Sequence, residues 1–289
     1  MREERDTNTY ALELRVAQEL ARAAGQAALS YYGTKLRVEH KAGVDEPVTE
    51  ADYAANNIIV RGLREAFPDD GLLSEESADT EARLTKRRVW IVDPLDGTSG
   101  FIAGNGDFAV QIGLAVAGES ALGVVYQPTR NLLQWAARGA GAWVLRNEDI
   151  EPQPLRVSDE TDLSHLRLAA SRSHRSPRMD RVVQTLGLAS EVRRGSVGVK
   201  VGLIAAQECD LYVHLSSRTR QWDTCAPEAI LREAGGRFTD LFGFPYRYNT
   251  PDTQNHNGLV ATNGAAHSAI IKRLAPLLRE FGRTRKNQP

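Results

Sequence analysis

Trp90-Ile91-Val92-Asp93-Pro94-Leu95-Asp96-Gly97-Thr98 is the stretch from which the rest of the chain reads. Arg88 to Val92 predicts a short buried strand, and it delivers two carboxylates three residues apart into a tight turn. Pro94 stiffens that turn and Gly97 permits close approach of the backbone. Hard divalent cations such as Mg²⁺ take oxygen ligands, and carboxylates at a strand end supply them. The amides after Gly97 could cradle a phosphate. Taken alone, Asp-Pro-x-Asp-Gly reads more often as a solvated turn with Asx hydrogen bonds.

Acidic residues elsewhere shift that balance. Ser74-Glu75-Glu76-Ser77 follows Leu72-Leu73, so a strand can carry Glu75 to the same rim; the pair could equally be a solvated face. Trp222-Asp223 precedes a predicted helix, where Asp223 has a fixed direction or is a plain N-cap. Asp52 lies three residues after Thr49, a spacing that also resembles a capping box.

Apolar residues at helical spacing predict an amphipathic helix over 10–32, ending near Gly33, and a second from Thr49 to about Phe67, followed by a Pro68-Asp69-Asp70-Gly71 turn. Strand-like runs at Phe108–Ala117, Ala121–Gln127, Leu132–Ala137 and Ala142–Leu145 are closely spaced, which favours an antiparallel meander. Beyond Glu151-Pro152-Gln153-Pro154 strands alternate with helices: strand 166–170, helix 177–186, strand 192–194, helix 199–207, strand 211–215 and a helix from about Thr224 to Glu233. The expected division is an N-terminal α+β domain, 1–153, carrying most metal ligands, and a C-terminal α/β domain, 154–289, carrying Asp223 and the specificity residues.

The bulk numbers narrow the function classes. The 289 residues are 42% hydrophobic and 25% charged, with 36 basic against 37 acidic residues and a net charge of −1. That balance argues against binding a nucleic-acid polymer or an anionic membrane. No apolar run approaches the ~20 residues of a membrane helix, and the charged start, Met1-Arg2-Glu3-Glu4-Arg5-Asp6, lacks a signal-peptide core. Cys209 and Cys225 read as reduced thiols of a cytoplasmic protein. The polar tail from Arg283 is expected to fray. The six histidines show no metal-type clustering, which suits oxygen-only coordination.

Lys41…Asp45…Pro47-Val48-Thr49-Glu50-Ala51-Asp52, Ser74-Glu75-Glu76, Asp93-Pro94-Leu95-Asp96-Gly97-Thr98 and Trp222-Asp223, in that order, resemble the inositol monophosphatase superfamily of lithium-sensitive phosphatases. The resemblance implies a layered α-β-α-β-α sandwich, two or three Mg²⁺ ions and frequent dimerisation. It implies that Glu75 and Asp93 hold a first metal with the Leu95 carbonyl, and that Asp93 bridges to a second completed by Asp96 and Asp223. It places Thr98, backed by Asp52 or Glu76, against the attacking water, and the Gly97 and Thr98 amides against the phosphate. Paired metal ions neutralise an anionic ester, acidify water and stabilise the leaving oxygen.

Within the superfamily, Trp222-Asp223-Thr224-Cys225-Ala226-Pro227-Glu228 with Gly235-Gly236 and Thr239-Asp240 resembles the 3'(2'),5'-bisphosphate nucleotidases, as does Phe101-Ile102…Asn105-Gly106-Asp107-Phe108. The lead-in from His214 to Gln221 holds no acidic residue to meet an inositol ring, whereas Ser99-Gly100 departs from the nucleotidase pattern. The expected reaction is Mg²⁺-dependent removal of the 3'-phosphate of adenosine 3',5'-bisphosphate to give AMP and phosphate. His174, Ser196, Lys200, Arg218 and Arg220 are the expected substrate contacts, the two arginines for the 5'-phosphate. An inositol-1-monophosphatase or a broad sugar-phosphate phosphatase is the alternative. A non-catalytic nucleotide or metal sensor is a reading of another class; it predicts a lost ligand or a lost Thr98, and none is missing.

Overall fold

The computed structural model describes residues 9–34, 38–40, 47–172 and 176–286. The chain opens with α1 (Ala11–Leu29), whose Ala17, Ala21, Ala24 and Ala28 are fully buried in one stripe at helical spacing. A short antiparallel pair, β1 (Val38–His40) and β2 (Pro47–Thr49), leads into α2 (Glu50–Ala66). Next come β3 (Gly71–Ser74), a 3-10 turn over Glu81–Thr85, and β4 (Arg88–Asp96). After the short α3 (Thr98–Ile102) the chain runs through the meander β5 (Ala109–Val116), β6 (Glu119–Gln127), β7 (Leu132–Ala137), β8 (Gly141–Leu145) and β9 (Gln153–Pro154). These strands make one seven-stranded sheet in the order β3-β4-β5-β6-β7-β8-β9, with only β3 and β4 parallel.

β4 is buried from Val89 to Asp96 because helices cover both its faces. Trp90 and Val92 face α1 and α2, while Val89 and Ile91 face the other side. A period of two would send Asp93 and Asp96 to opposite faces. The register prevents this: Asp93 pairs with Gln111 and Asp96 with Ala109, so three steps on β4 oppose two on β5. The bulge falls at Pro94, which has no N–H for the ladder, and the extra residue turns both carboxylates to the same end of the strand.

The second half supplies β10 (Arg167–Ser171), α4 (Pro177–Leu186), β11 (Ser190–Arg194), α5 (Val197–Ala205), β12 (Leu211–His214), α6 (Gln221–Glu233), β13 (Arg237–Thr239), β14 (Leu259–Thr262) and α7 (His267–Glu280). Its five-stranded sheet runs β11-β10-β12-β14-β13. α1 and α2 cover one face of the larger sheet, α5 and α6 lie between the sheets, and α4 and α7 cover the outer face of the smaller one. This is the α-β-α-β-α layering that the family resemblance implied. The Pro-rich segment near 153 falls on β9, an edge strand of the larger sheet.

Several elements differ from the sequence expectation. α6 begins at Gln221 rather than Thr224, and β13, β14 and α7 were not anticipated. The tail does not fray at Arg283: the Lys286 amide donates to Asn257 Oδ1 at 2.8 Å, and Asn257 Nδ2 returns a bond to the Lys286 carbonyl.

α6 can lie so close to the large sheet because glycines face it. A Cβ on Gly113 would stand 2.7 Å from Cys225 Sγ, and one on Gly123 only 2.1 Å from the Ala226 carbonyl oxygen. The same helix buries Glu228, which accepts from the Tyr248 hydroxyl and has Arg232 Nη1 at 3.9 Å. Burial pushes Glu228 up to about 7, and the Tyr248 bond and Arg232 oppose it only in part. A raised carboxyl makes the native state bind more protons than the unfolded one, so stability falls as pH rises from about 4.5 through about 7. Glu228→Gln is expected to remove that slope and to add up to roughly 3 kcal/mol at pH 8. Urea melts of both proteins at pH 5 and pH 8 check this; parallel pH profiles would refute it.

Candidate metal and phosphate site

Asp93, Asp96 and Asp223 each offer a carboxylate oxygen, and these atoms all lie within 4.8 Å of one another. Two come from the bulged end of β4; the third stands in the first turn of α6, where Asp223 Oδ2 accepts from the Arg220 amide at 2.6 Å. Asp223 is therefore the third residue of its helix, folded back on the residue before it, rather than a plain N-cap.

Burial raises Asp93 well above the carboxylate range, and the charges of Glu75, Asp96 and Asp223 push the same way. A hydrogen bond that protonated Asp93 makes to Glu75 adds to this, which sets Glu75 against Asp93. β3 pairs with β4, and the Glu75 amide donates to the Val92 carbonyl at 3.1 Å, so β3 does carry Glu75 to this rim. The donors are all oxygens and the carboxylates crowd one another, with Lys200 behind Asp96 offsetting only part of their charge. Such a set fits hard divalent cations.

Asp96 is held by one oxygen. Gln111 Nε2, Ser196 Oγ and the Gly198 amide (2.8 Å) all donate to Oδ2. Burial raises its pKa, but these donors and Lys200 pull it back. Ser196 and Lys200 were expected to wall the substrate pocket. Instead both are buried, at 7% and 4% exposure, behind Asp96. Ser196 adopts φ of +57° at the start of α5, where its hydroxyl also accepts from the Val199 amide. Burial lowers Lys200 to about 8, against the pull of Asp96, Asp223 and Asp107; its ammonium lies 4.9 Å from the Tyr212 ring centroid.

Thr98 and Asp52 meet across the turn. Thr98 Oγ1 lies 3.1 Å from Asp52 Oδ1 and 3.2 Å from the Leu95 carbonyl. Asp52 Oδ2 accepts from the amide and hydroxyl of Thr49, at 2.8 and 2.7 Å, completing a capping box at the start of α2. The two readings of Asp52 therefore both hold geometrically, one on each oxygen. Burial raises Asp52 above the usual range. Gly97, at φ of +100°, packs against the Asp107 carbonyl, where a Cβ would come within 2.6 Å.

Comparison with known proteins identifies the arrangement. The sequence profile of the inositol monophosphatase family matches residues 11–279. The chain belongs to the inositol monophosphatase family. Escherichia coli K12 3'(2'),5'-bisphosphate nucleotidase CysQ is 39% identical over 233 residues, covering 80% of this chain and 91% of that protein. The crystal structure of Bacteroides thetaiotaomicron CysQ superposes with a TM-score of 0.76 at 30% identity, covering 88% of this chain and 98% of that one. A Thermotoga maritima IMPase superposes at 0.79 with 27% identity, covering 93% and 99%. As a member of this family the chain is a phosphatase of small phosphate esters, and no helix among the described residues is long and apolar enough to cross a membrane.

The remaining substrate candidates of this inositol monophosphatase family member scatter more widely. Arg218 is exposed on the lead-in to α6. Arg220 lies over the Trp222 ring at 5.7 Å, with Nη1 3.4 Å from Thr253 Oγ1. His174 lies outside the described residues, as do Lys41 and Asp45. Glu76 is half-buried, and Asn56 Nδ2 donates to its carbonyl at 3.4 Å.

Sequence reasoning passed over three supporting residues. Asn56, one turn beyond Asp52 on α2, accepts from the Ser74 hydroxyl and donates to Ser77, fixing the Glu75-Glu76 turn. Asp107 accepts from Arg172 Nε at 2.7 Å and from the Gly195 amide at 2.9 Å, joining the Gly97 turn to the start of α5. Gln111 was legible only as a lone amide inside the apolar run 108–117; it holds Asp96.

Proposed function

We propose that the chain is a Mg²⁺-dependent phosphomonoesterase whose preferred substrate is a 3',5'-bisphosphorylated nucleotide such as adenosine 3',5'-bisphosphate. The observation that carries the reading is the convergence of Asp93, Asp96 and Asp223 beside a Thr98 hydroxyl already aimed at Asp52. In it, Glu75, Asp93, Asp96, Asp223 and the Leu95 carbonyl would hold two or three Mg²⁺ ions. When bound, those ions supply charge neutralisation for the ester, a more acidic water and stabilisation of the leaving oxygen.

The protein's own groups do the rest. Thr98 donates its hydroxyl proton toward Asp52 and Leu95, which leaves its oxygen lone pairs to accept from a water and orient it. Asp52, or Glu76, takes up the proton; burial makes Asp52 a better proton acceptor than an exposed aspartate. The Gly97 and Thr98 amides face the phosphate. Ser196, Gln111 and Lys200 fix Asp96 and balance its charge rather than touch substrate.

Support for the nucleotide comes from the CysQ relatives and from the lead-in 214–221, which carries Arg218 and Arg220 and no acidic residue. Of the two arginines Arg218 is the freer to meet a second phosphate, since Arg220 would have to leave Trp222 and Thr253. We expect kcat/KM for adenosine 3',5'-bisphosphate to exceed that for inositol 1-phosphate by about tenfold or more, as differential transition-state binding allows. Arg218→Ala should lower the bisphosphate value by a few kcal/mol equivalent and leave the monophosphate value nearly untouched. Preference for inositol 1-phosphate, or an equal loss on both substrates, would leave the broader sugar-phosphate phosphatase reading standing in its place.

A further inference from the structure

Arg83 is only 2% exposed, yet it lies in the 3-10 turn between β3 and β4, between the candidate ligands Glu75 and Asp93 in the chain. A buried guanidinium is costly unless each donor is met. Here all five N–H groups are. Nε and Nη2 bind the two oxygens of Asp79 at 2.8 and 2.7 Å. Nη1 donates to Asn249 Oδ1 at 2.9 Å, and Nη1 and Nη2 share the Thr250 carbonyl at 3.1 and 3.2 Å. Replacing such an ion pair with apolar side chains is often neutral or stabilising, so its stability contribution does not explain it.

Its connections do. Asn249 Nδ2 returns bonds to the Arg83 and Lys86 carbonyls at 2.9 and 3.3 Å. The Asn249 amide donates to Gln221 Oε1 at 2.8 Å, and Gln221 Nε2 donates to Thr250 Oγ1 at 2.6 Å. Gln221, 1% exposed, is the first residue of α6, and its own amide is held by the Thr253 carbonyl at 2.9 Å. Two residues later comes Asp223. At the other end, Asp79 and Arg83 close the loop that begins with Glu75 and Glu76. Asn249 sits at φ of +58°, a conformation that asparagine tolerates better than most residues.

We propose that the Asp79–Arg83–Asn249–Gln221 chain sets the distance between the Glu75 loop and the α6 start, making Arg83 and Asn249 positioning residues of the metal site. Glu75 arrives from the edge of the large sheet and Asp223 from a helix between the sheets, so no strand ladder joins them. The inference rests on the metal-dependent reading above. Lysine at position 83 would keep the charge but not the planar fork that reaches Asp79, Asn249 and Thr250 together.

The test uses Asn249→Gly, which removes the side-chain bonds while keeping the left-handed backbone at ease, and Arg83→Lys. Mg²⁺ alone is titrated into metal-free protein by calorimetry, and melting is followed in EDTA. Either variant should bind Mg²⁺ about tenfold more weakly, the usual effect of removing a ligand's outer support; since each also leaves a buried polar group unmet, its melting temperature in EDTA should fall too, and binding is read well below that temperature on folded protein. Excess Mg²⁺ should restore kcat, and KM measured at saturating Mg²⁺ should not move. A folded Asn249→Gly that binds Mg²⁺ as the wild type does overturns the proposal, as does a kcat that excess Mg²⁺ fails to restore in the folded variant. Should one variant fail to fold, the other decides by the same two readings. If wild-type protein takes up no Mg²⁺, the metal-dependent reading itself fails, an outcome distinct from variants that bind normally.

Discussion

Asp223→Asn and Asp96→Asn should each lower kcat by roughly two to three orders of magnitude at saturating Mg²⁺, the equivalent of several kcal/mol of lost charge stabilisation. For Asp96 the geometry leaves no escape. Three donors point at Oδ2, so an asparagine either keeps its oxygen there and turns its NH₂ toward the metal, or flips and faces three donors with a donor. Phosphate release with circular dichroism as a fold control measures the effect; near-wild-type turnover in either variant would falsify the ligand assignment. Asp93→Asn should likewise be inactive yet more stable than the wild type in EDTA at pH 8. A buried carboxyl raised above its ordinary 3.8 costs native stability as pH climbs past that value, and asparagine carries no such cost while still accepting the Leu95 amide.

Gly123→Val should be the most damaging substitution away from the acidic cluster. The new Cβ would meet the Ala226 carbonyl oxygen at 2.1 Å and the Ala226 carbonyl carbon and Cα at 2.8 Å, all backbone atoms that no rotamer can move aside. Either β6 or α6 must shift, at about 3 kcal/mol or more for overpacking of this kind. α6 is the element that holds Asp223, so a shift large enough to relieve the clash also opens the carboxylate cluster. Denaturant melts should show the stability loss. Activity per folded molecule should fall as well; a fully active folded fraction would show that the strand, not the helix, gives way.

How far the sequence could be read depended on whether the deciding signal was local. The Thr49-x-x-Asp52 spacing marked the start of α2, because caps are short-range chemistry, and the helix expected over 177–186 is α4. The start of α6 was placed three residues late because Arg220, the residue before the helix, is not one of the types that signal a helix start. β13 and β14 are three and four residues long and gain their stability from pairing with each other and with β12. No window of sequence contains that pairing. The candidate ligands were legible only through four motifs standing in the order of a known family, since alone Asp-Pro-x-Asp-Gly reads more often as a solvated turn. Ser196 and Lys200 were visible as polar residues, but which way they faced was not: burial behind Asp96 is a property of two sheets closing on α5. Arg83 and Asn249 lie 166 positions apart and meet only through folding.

The two oxygens of Asp52 bear on how related genomes should be read. One closes the cap of α2 and the other holds the Thr98 hydroxyl, so the residue answers to two selective pressures through one codon. A descendant released from its chemistry would keep an aspartate here for as long as it needed the helix. In the mechanism proposed above Thr98 answers to the reaction more than to the fold, and it would drift first. In a collection of homologous genes, aspartate at this position is poor evidence that the product is an enzyme. The presence or loss of the threonine is the better marker for separating working phosphatases from their retired copies.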